Sequence, residues 1–322
     1  MKVLVIGGNG FLGYYIAKLL QEKGKEVGIL VRTGDDFMPV FKTRPAVHQA
    51  DLMTVTVDDL KPILKGYDMA VFAAGADDRL TPKKPALEFF RLNNVETTRK
   101  VLQAGTEVGL KRLIVLGSYF VYFAREWPEM HLERHPYVQS RLEQEALANE
   151  PEAAKVEMVT LELPYIFGAM EGKLPLWKPL IKYICKAHTV YYPAGGTAMI
   201  AADDVAKAVF GALTVVQPQK SYVIGGANLD WVTFINKIAK VLGEKKKVVT
   251  LPKWLVKFAA WFVALSHSFQ GRESGLRTVP FIDVQTANTY VDSKIAQQAL
   301  NYQPSDLDAA ISATVEKCLK ED

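Results

Sequence analysis

The 322-residue sequence predicts an α/β fold, a doubly wound parallel sheet followed by a smaller, mainly helical region. Three observations carry that expectation. Short β-branched runs alternate with helical patterns from the start of the chain, the signature of strand–helix–strand units. Several of these runs are apolar without a break, as strands covered on both faces require. The first run also turns directly into a glycine-rich loop that opens a helix, a place where such sheets bind ligands.

Strands are expected over 2–6, 26–31, 46–50, 69–74, 112–116 and 157–163, and helices between them over 11–23, 57–64, 85–108 and 136–149. Each of these helices carries apolar residues at three- and four-residue spacing. After Pro164 the regularity fails: residues 168–179 are rich in Gly and Pro, and helices over 202–215, 231–242, 254–265 and 307–319 no longer alternate with clear strands. Residues 1–164, with return segments near 189–215, are read as the sheet domain, and 165–322 as mainly a substrate-binding region packed against it.

Composition narrows the function. With 49% hydrophobic and 23% charged residues the chain can build one large core or two closely packed domains, and disorder is excluded. The 39 basic and 35 acidic residues are interspersed and leave a net charge of +4. No basic stripe forms, so nucleic acid is not an expected partner. Cys185 and Cys318 lie far apart and lack metal-ligand spacing; no disulfide framework or metal site is expected, and a reducing, cytoplasmic setting fits. His48, His131, His135, His188 and His267 form no metal triad or hydrolase set.

Two apolar stretches invite a membrane reading. The first, after Lys2, is broken at once by Gly7, Gly8, Asn9 and Gly10 and reads as a strand rather than a signal peptide. The second, over 254–269, is interrupted by Lys257 and His267 and is shorter than the roughly 20 residues of a membrane span. Its helical part is expected to be buried or to line a pocket, with no membrane as partner.

The glycine loop carries the first chemistry. Gly7, Gly10 and Gly13 fall where a strand becomes a helix, in Gly7-Gly8-Asn9-Gly10-Phe11-Leu12-Gly13. Gly7 permits the tight turn, Gly10 lets the backbone approach a pyrophosphate, and Gly13 allows helix and strand to pack closely. The helix N-terminus adds free amides and the positive end of a dipole. A dinucleotide is the expected ligand. Arg32, 19 residues past Gly13, closes the second strand, where a base accommodates an extra phosphate and an acid would bind ribose hydroxyls. NADP(H) is therefore expected, with NAD(H) as the alternative should Asp35 or Asp36 serve the ribose.

With the loop placed, the remaining segments resemble the extended branch of the short-chain dehydrogenase/reductase family, which includes NAD-dependent epimerase/dehydratase and dihydroflavonol-reductase-like enzymes. Asp51-Leu52 resembles the family's adenine-contacting acid and its neighbour. Phe72-Ala73-Ala74-Gly75 resembles the fourth-strand segment that passes the cofactor, and Asn94-Val95 with Thr97-Thr98 the helix motif that carries an asparagine. Leu163 to Gly168 resembles the segment where the backbone at Pro164 and Ile166 meets the nicotinamide carboxamide. Glu162 stands where many relatives have arginine, and Ala201 where they have histidine. Asp203 and Asp204 are read as capping the next helix.

The resemblance also implies the catalytic set. Ser118 follows the fifth strand ahead of Val121-Tyr122, and Tyr137 opens a helix in Tyr137-Val138-Gln139-Ser140-Arg141. The family motif is Tyr-x-x-x-Lys, so Arg141 stands in place of its lysine. Spacing by four puts residues 137 and 141 on one helix face. In the family, tyrosine transfers the proton, serine holds the same oxygen, and lysine binds the ribose and lowers the tyrosine pKa. Lowering it by about three units from about 10 takes roughly 4 kcal/mol of phenolate stabilisation. A guanidinium supplies charge but not an ammonium's geometry, so cofactor binding with slowed or reorganised chemistry is expected, or a cofactor sensor without turnover. Tyr119 and Tyr122 are reserve acids. Arg272 and Arg277 are candidates for an anionic group, whereas the apolar 254–265 stretch points to a less polar substrate. Residues 168–186 and 266–281 are expected to decide it. A homodimer through the 85–108 and 136–149 helices also follows from the resemblance.

Overall fold

A computed structural model describes residues 1–35 and 37–320. In chain order the first half contains β1 (Lys2–Ile6), α1 (Phe11–Glu22), β2 (Glu26–Val31), β3 (Ala46–Gln49), α2 (Val57–Leu64), β4 (Met69–Phe72), α3 (Ala86–Phe90), α4 (Thr97–Val108), β5 (Arg112–Ser118), α5 (Tyr119–Glu126), α6 (Pro136–Ala146) and β6 (Glu157–Leu163). The second half contains β7 (Tyr165–Phe167), α7 (Lys178–Lys186), β8 (Thr189–Pro193), β9 (Gly196–Ala201), α8 (Ala202–Thr214), β10 (Ser221–Val223), β11 (Ala227–Asp230) and α9 (Trp231–Val241). It ends with β12 (Lys247–Leu251), α10 (Lys253–Phe269), α11 (Thr278–Gln285), β13 (Asn288–Thr289), α12 (Lys294–Ala299) and α13 (Leu307–Lys320).

Among the described residues the main sheet has seven strands in the order β10-β6-β5-β4-β1-β2-β3, all parallel. Strand side chains alternate between two cores. Val3 and Val5 of β1 join Ile29, Val71, Ile114 and Val159 on the face covered by α1 and α8, while Leu4 and Ile6 join Leu30, Phe72, Leu113 and Val115 on the face of α2 and α4. This two-sided burial explains the unbroken apolar runs. Strand order reverses between β1 and β4, and the crevice at their carboxyl ends is where open sheets bind ligands.

The expected fold class is present, with a seventh strand the sequence does not announce: β10 returns to pair with β6. Among the described residues six further strands, β7 to β9 and β11 to β13, form two small accessory sheets, so the second half is less purely helical than its periodicity suggests. The helix expected over 85–108 is divided by a π-helical stretch, Arg91–Glu96. There Thr97 and Thr98 hydroxyls donate to the Asn93 and Asn94 carbonyls at 2.6 and 2.7 Å, competing with the backbone ladder.

The helix expected to be buried over 254–265 is not. Among the described residues of α10, Ala260 is the one buried side chain, whereas Trp254 is 70% and Phe269 84% exposed. Apolar composition carried that expectation, but no element other than α11 packs extensively along this helix. Among the described residues no helix is long and apolar enough to cross a membrane.

Packing of α1 onto the sheet depends on Gly13, where a Cβ would overlap the Gly7 carbonyl oxygen. Gly7 has φ +82°, and its own Cβ would lie 2.9 Å from the Ala73 carbonyl oxygen. Gly13→Ala should therefore lower stability by about 2–4 kcal/mol and weaken dinucleotide binding. Gly24→Ala, at φ +68° with open space around it, should cost only about 1–2 kcal/mol of backbone strain. Urea midpoints for the two variants test the difference; equal shifts would mean that the Gly13 contact relaxes.

Candidate active site

A cavity of about 400 Å³ opens at the carboxyl ends of β1, β4, β5 and β6. Of the residues singled out in the sequence, Phe11, Leu12, Ala73, Ala74, Gly75, Ser118, Tyr137, Arg141, Pro164 and Ile166 line it. Each arrives there because a parallel strand ends: the glycine loop follows β1, Ala73–Gly75 follows β4, Ser118 closes β5, and Pro164 follows β6.

Gly7, Asn9, Gly10, Gly13, Arg32, Asp51 and Leu52 lie outside the cavity wall, on the same carboxyl edge beyond β1, β2 and β3. Arg32 is exposed directly after Val31. Asn9 is buried and donates from Nδ2 to Asp35 Oδ2 at 3.0 Å and to the Phe37 carbonyl at 3.1 Å. The other Asp35 oxygen accepts from the Phe37 amide at 3.1 Å, a bond that holds this carboxyl below its usual range. Asp36 lies outside the described residues. Asp51 accepts from the Met53 amide at 2.9 Å, closing a turn.

Asn94 is also off the wall, yet it fixes part of it. Fully buried in the π-helical stretch, its Oδ1 accepts from the Ala76 amide at 2.7 Å and its Nδ2 donates to Ser140 Oγ at 3.2 Å. That pair clamps the loop after β4 to α6. Arg141 strengthens the clamp: Nη1 donates to the Leu116 carbonyl (3.2 Å) and to Gln144 Oε1 (2.7 Å), and Nη2 to the Ala76 carbonyl (3.3 Å). Its Nε is buried without a hydrogen-bond partner.

Tyr137 is 6% exposed, and the Arg141 guanidinium lies 5.2 Å from its ring centroid. Burial raises the phenol pKa; Arg141 and Ser118 pull it down, Asp78 and Asp77 push it up, and burial prevails. The first turn of α6 is anchored from outside, since the Tyr137 amide donates to the Gly275 carbonyl at 2.9 Å. Ser118 caps α5, its Oγ accepting from the Phe120 amide at 3.4 Å. Tyr119 lines the cavity but is tied to Thr197 Oγ1 at 2.8 Å, and burial raises its pKa; Tyr122 lies off the wall.

Several wall residues escaped the sequence reading. Asp77, Asp78 and Arg79 follow Gly75 after one intervening residue, Ala76, and a charged triplet after an apolar strand end was the available signal. Burial and the neighbouring Asp77 push the Asp78 carboxyl up to about 7, whereas Arg79 holds Asp77 below its usual value. The far wall comes from expected segments: Tyr165 from 163–168, and Met170 and Lys173–Trp177 from the 168–186 stretch expected to decide the substrate, whereas no residue of 266–281 lines the cavity. Trp177 stacks on Phe167 at 4.6 Å and donates to the Ile166 carbonyl at 3.0 Å, so β7 positions that segment.

Other expectations resolve differently. Arg272 and Arg277 do not line the cavity, and neither does any residue of 254–265. Glu162 points away from it and is paired by Arg125, which also donates to Glu145 at 2.8 Å; burial and Glu145 push Glu162 up to about 8. Asp203 and Asp204 stand in the first turn of α8 without capping it by hydrogen bond. Asp204 instead accepts from the Ser305 amide and hydroxyl, both at 2.8 Å, ahead of α13. Among the described residues no three His, Cys, Asp or Glu side chains gather into a metal-ligand set.

Residues 3–225, more than two-thirds of the chain, match the NAD dependent epimerase/dehydratase family. The chain belongs to that family. Sterol-4-alpha-carboxylate 3-dehydrogenase, decarboxylating, from Mus musculus is 24% identical over 340 aligned positions, covering 98% of this chain and 90% of that protein. The crystal structure of gox2253 superimposes with a TM-score of 0.80 at 22% identity, covering 99% and 98% of the two chains. UDP-glucuronic acid 4-epimerase from Bacillus cereus, solved with UDP-glucuronic acid and NAD, gives a TM-score of 0.70 at 17% identity, covering 99% of each. At these identities the structural likeness is one of fold. The family's dinucleotide fits the glycine cradle, where side chains at Gly7 or Gly13 would fill the space between loop, strand and helix.

The anchoring of α6 is pH-sensitive. His135, 1% exposed and directly before α6, accepts from the Arg277 amide at Nδ1 (2.8 Å), which requires the neutral ring. Burial first, and then the Arg277 charge, push its pKa down to about 4. The unfolded chain takes up this proton near pH 6.5, so the stabilisation is complete above that pH and is lost as pH falls toward about 4, by on the order of 3 kcal/mol. Urea unfolding of wild type and His135→Gln across this window should show the wild type losing the larger share of its stability; parallel curves would contradict it.

Proposed function

We propose that this protein is an NADP(H)-dependent reductase of a weakly polar carbonyl compound, with Tyr137 donating the proton and Ser118 positioning the carbonyl oxygen. The observation that carries the reading is the convergence of Tyr137, Ser118 and the glycine-loop helix on one cavity. A bound nicotinamide cofactor supplies the hydride. The protein supplies the proton: with burial prevailing over Arg141, the Tyr137 phenol stays protonated at neutral pH and is suited to donate rather than abstract. Arg141 acts through position and charge, because its Nη donors are engaged by the Ala76, Leu116 and Gln144 oxygens.

Cofactor preference rests on Arg32. Asp35, the rival partner for a ribose, already accepts from Asn9 and the Phe37 amide, while Arg32 is exposed at the strand end. For the substrate, Phe11, Leu12, Phe120, Met170, Leu174 and Trp177 give the cavity apolar walls. The absence of Arg272 and Arg277 from those walls weakens a nucleotide-phosphate reading, and similarity to a sterol dehydrogenase points the same way. A second reading, a cofactor sensor without turnover, is favoured by the raised Tyr137 pKa and by the committed Arg141 donors.

Reduced-cofactor fluorescence separates these readings. NADPH should bind more tightly than NADH, and Arg32→Ala should weaken NADPH by at least about tenfold while sparing NADH, the scale of one charge-assisted hydrogen bond. Tighter NADH binding by the wild type would reverse the assignment. With a panel of apolar ketones and aldehydes, Tyr137→Phe should lower turnover by about 10²–10⁴-fold and leave NADPH binding intact. Binding without consumption across the panel would favour the sensor, and ordinary turnover in Tyr137→Phe would remove the tyrosine from the chemistry.

A further inference from the structure

We infer that α10 is an interfacial helix that docks the protein onto an anionic phospholipid surface. Surface helices of water-soluble domains hide their large apolar residues on one inner stripe. In α10 the reverse holds: Trp254, Phe258, Trp261, Phe262, Val263 and Phe269 are 70, 56, 51, 52, 46 and 84% exposed, and the buried side chain is an alanine. Contiguous exposed apolar surface of this kind marks an interaction site. Its tryptophans and phenylalanines are the side chains that seat at a headgroup boundary.

Charge selects the occupant. The seventeen residues of α10, KWLVKFAAWFVALSHSF, contain no acid. Lys253 and Lys257 share one carboxylate, Asp283 of α11, at 2.5 and 2.7 Å, so the N-terminal half keeps a net positive charge. At the other end Lys83, Lys84 and Arg272 are exposed. Lys84 Nζ donates to Ser268 Oγ at 3.0 Å and Arg272 Nη1 to the Thr81 carbonyl at 2.9 Å, neutral partners, and among the described residues neither charge forms an ion pair. The nearby acid, Glu273, is half-buried and accepts from the Ala86 amide at 3.0 Å. A second copy docking by two-fold symmetry would bring this cationic rim against itself. Anionic headgroups complement it.

The helix also stands beside the candidate site. Residues 80–84 and 271–275 are stitched together, the Lys84 amide donating to the Gly271 carbonyl at 3.0 Å, Glu273 to Pro82 at 3.0 Å and Gly275 to Leu80 at 3.2 Å. Leu80 directly follows Arg79 of the cavity wall. Docking through α10 thus brings a lipid surface to the rim of a cavity with apolar walls. Among the described residues no helix is long and apolar enough to cross a membrane, so the docking inferred for α10 is interfacial. This revises the sequence-based expectation that no membrane is a partner, and it stands whatever reaction the cavity performs.

Flotation of the full-length protein with vesicles tests the inference, using phosphatidylcholine alone and phosphatidylcholine with about one-third phosphatidylserine, a composition that supplies the anionic surface potential. The wild type should float with the anionic vesicles, with blue-shifted tryptophan emission, and added salt should weaken binding. Trp261→Glu with Phe262→Glu should cut binding by at least about tenfold for each aromatic removed. Lys84→Glu with Arg272→Glu should abolish the preference for anionic vesicles, and NADPH binding should persist in both variants. Should the aromatic double variant precipitate, Phe269→Glu carries the same test. A wild type that stays unbound with both vesicle types overturns the inference. So does a wild-type dimer that the aromatic variant converts to monomer, which would assign the face to a second copy.

Discussion

Taking a guanidinium out of water costs several kcal/mol unless its donors find oxygens, and the candidate site is organised around how Arg141 finds them. Its partners come from three places in the chain: the Ala76 carbonyl after β4, the Leu116 carbonyl of β5, and Gln144 one turn along α6. Gln144 passes the connection on, donating to the Asn94 carbonyl at 2.9 Å and to Thr98 Oγ1 at 2.8 Å. Asn94 closes the circuit onto Ala76 and Ser140. One network therefore sets the spacing between the end of β4, the end of β5 and α6, and with it the place of Tyr137. A lysine would bring a cation to the same spot, but an ammonium lacks the planar fork that reaches several carbonyls at once. The departure from the family motif is in this sense structural first.

The same burial that makes the network strong keeps the Tyr137 phenol protonated. Arg141 favours the Tyr137 phenolate, yet the ring is almost wholly removed from water, and the desolvation of the anion outweighs one neighbouring cation. Asp78 adds to this on the same side. With its carboxyl pushed up to about 7, it gains negative charge as pH rises through neutrality and opposes phenolate formation further. The free protein is thus poised with a protonated phenol over the pH range in which its carboxylate neighbour titrates, which suits donation to an oxygen that gains charge.

Much of this was legible in the residues. Five of the first six strands could be read because burial on both faces makes them largely apolar, while the edge strand β3 is mostly exposed; the glycine loop could be read because only glycine tolerates the contacts at Gly7 and Gly13. What escaped was set by distant pairing. The three-residue β10 is a strand because β6 offers it an edge, and β13 has two residues. The π-helical turn depends on Thr97 and Thr98 hydroxyls competing for carbonyls, a choice that periodicity does not record. Asp77, Asp78 and Arg79 gain their significance from what surrounds them across the cavity. Arg141 was visible as an exception to a motif, but its partners Ala76, Leu116 and Gln144 appear only once three elements meet.

The 254–265 stretch shows where sequence reasoning meets a physical limit. Hydrophobicity reports that a segment gains by leaving water and is silent on what replaces the water. In β1 the replacement is the rest of the chain: Val3, Leu4 and Val5 are wholly buried between two helical layers. In α10 the chain supplies α11 along one side and leaves most of the aromatic surface bare. Packing within the chain does not account for seven large apolar side chains exposed on one helix. Their placement beside Lys84 and Arg272, on a segment stitched to the chain that follows Arg79 of the cavity wall, is explained once an external apolar phase with an anionic face covers them.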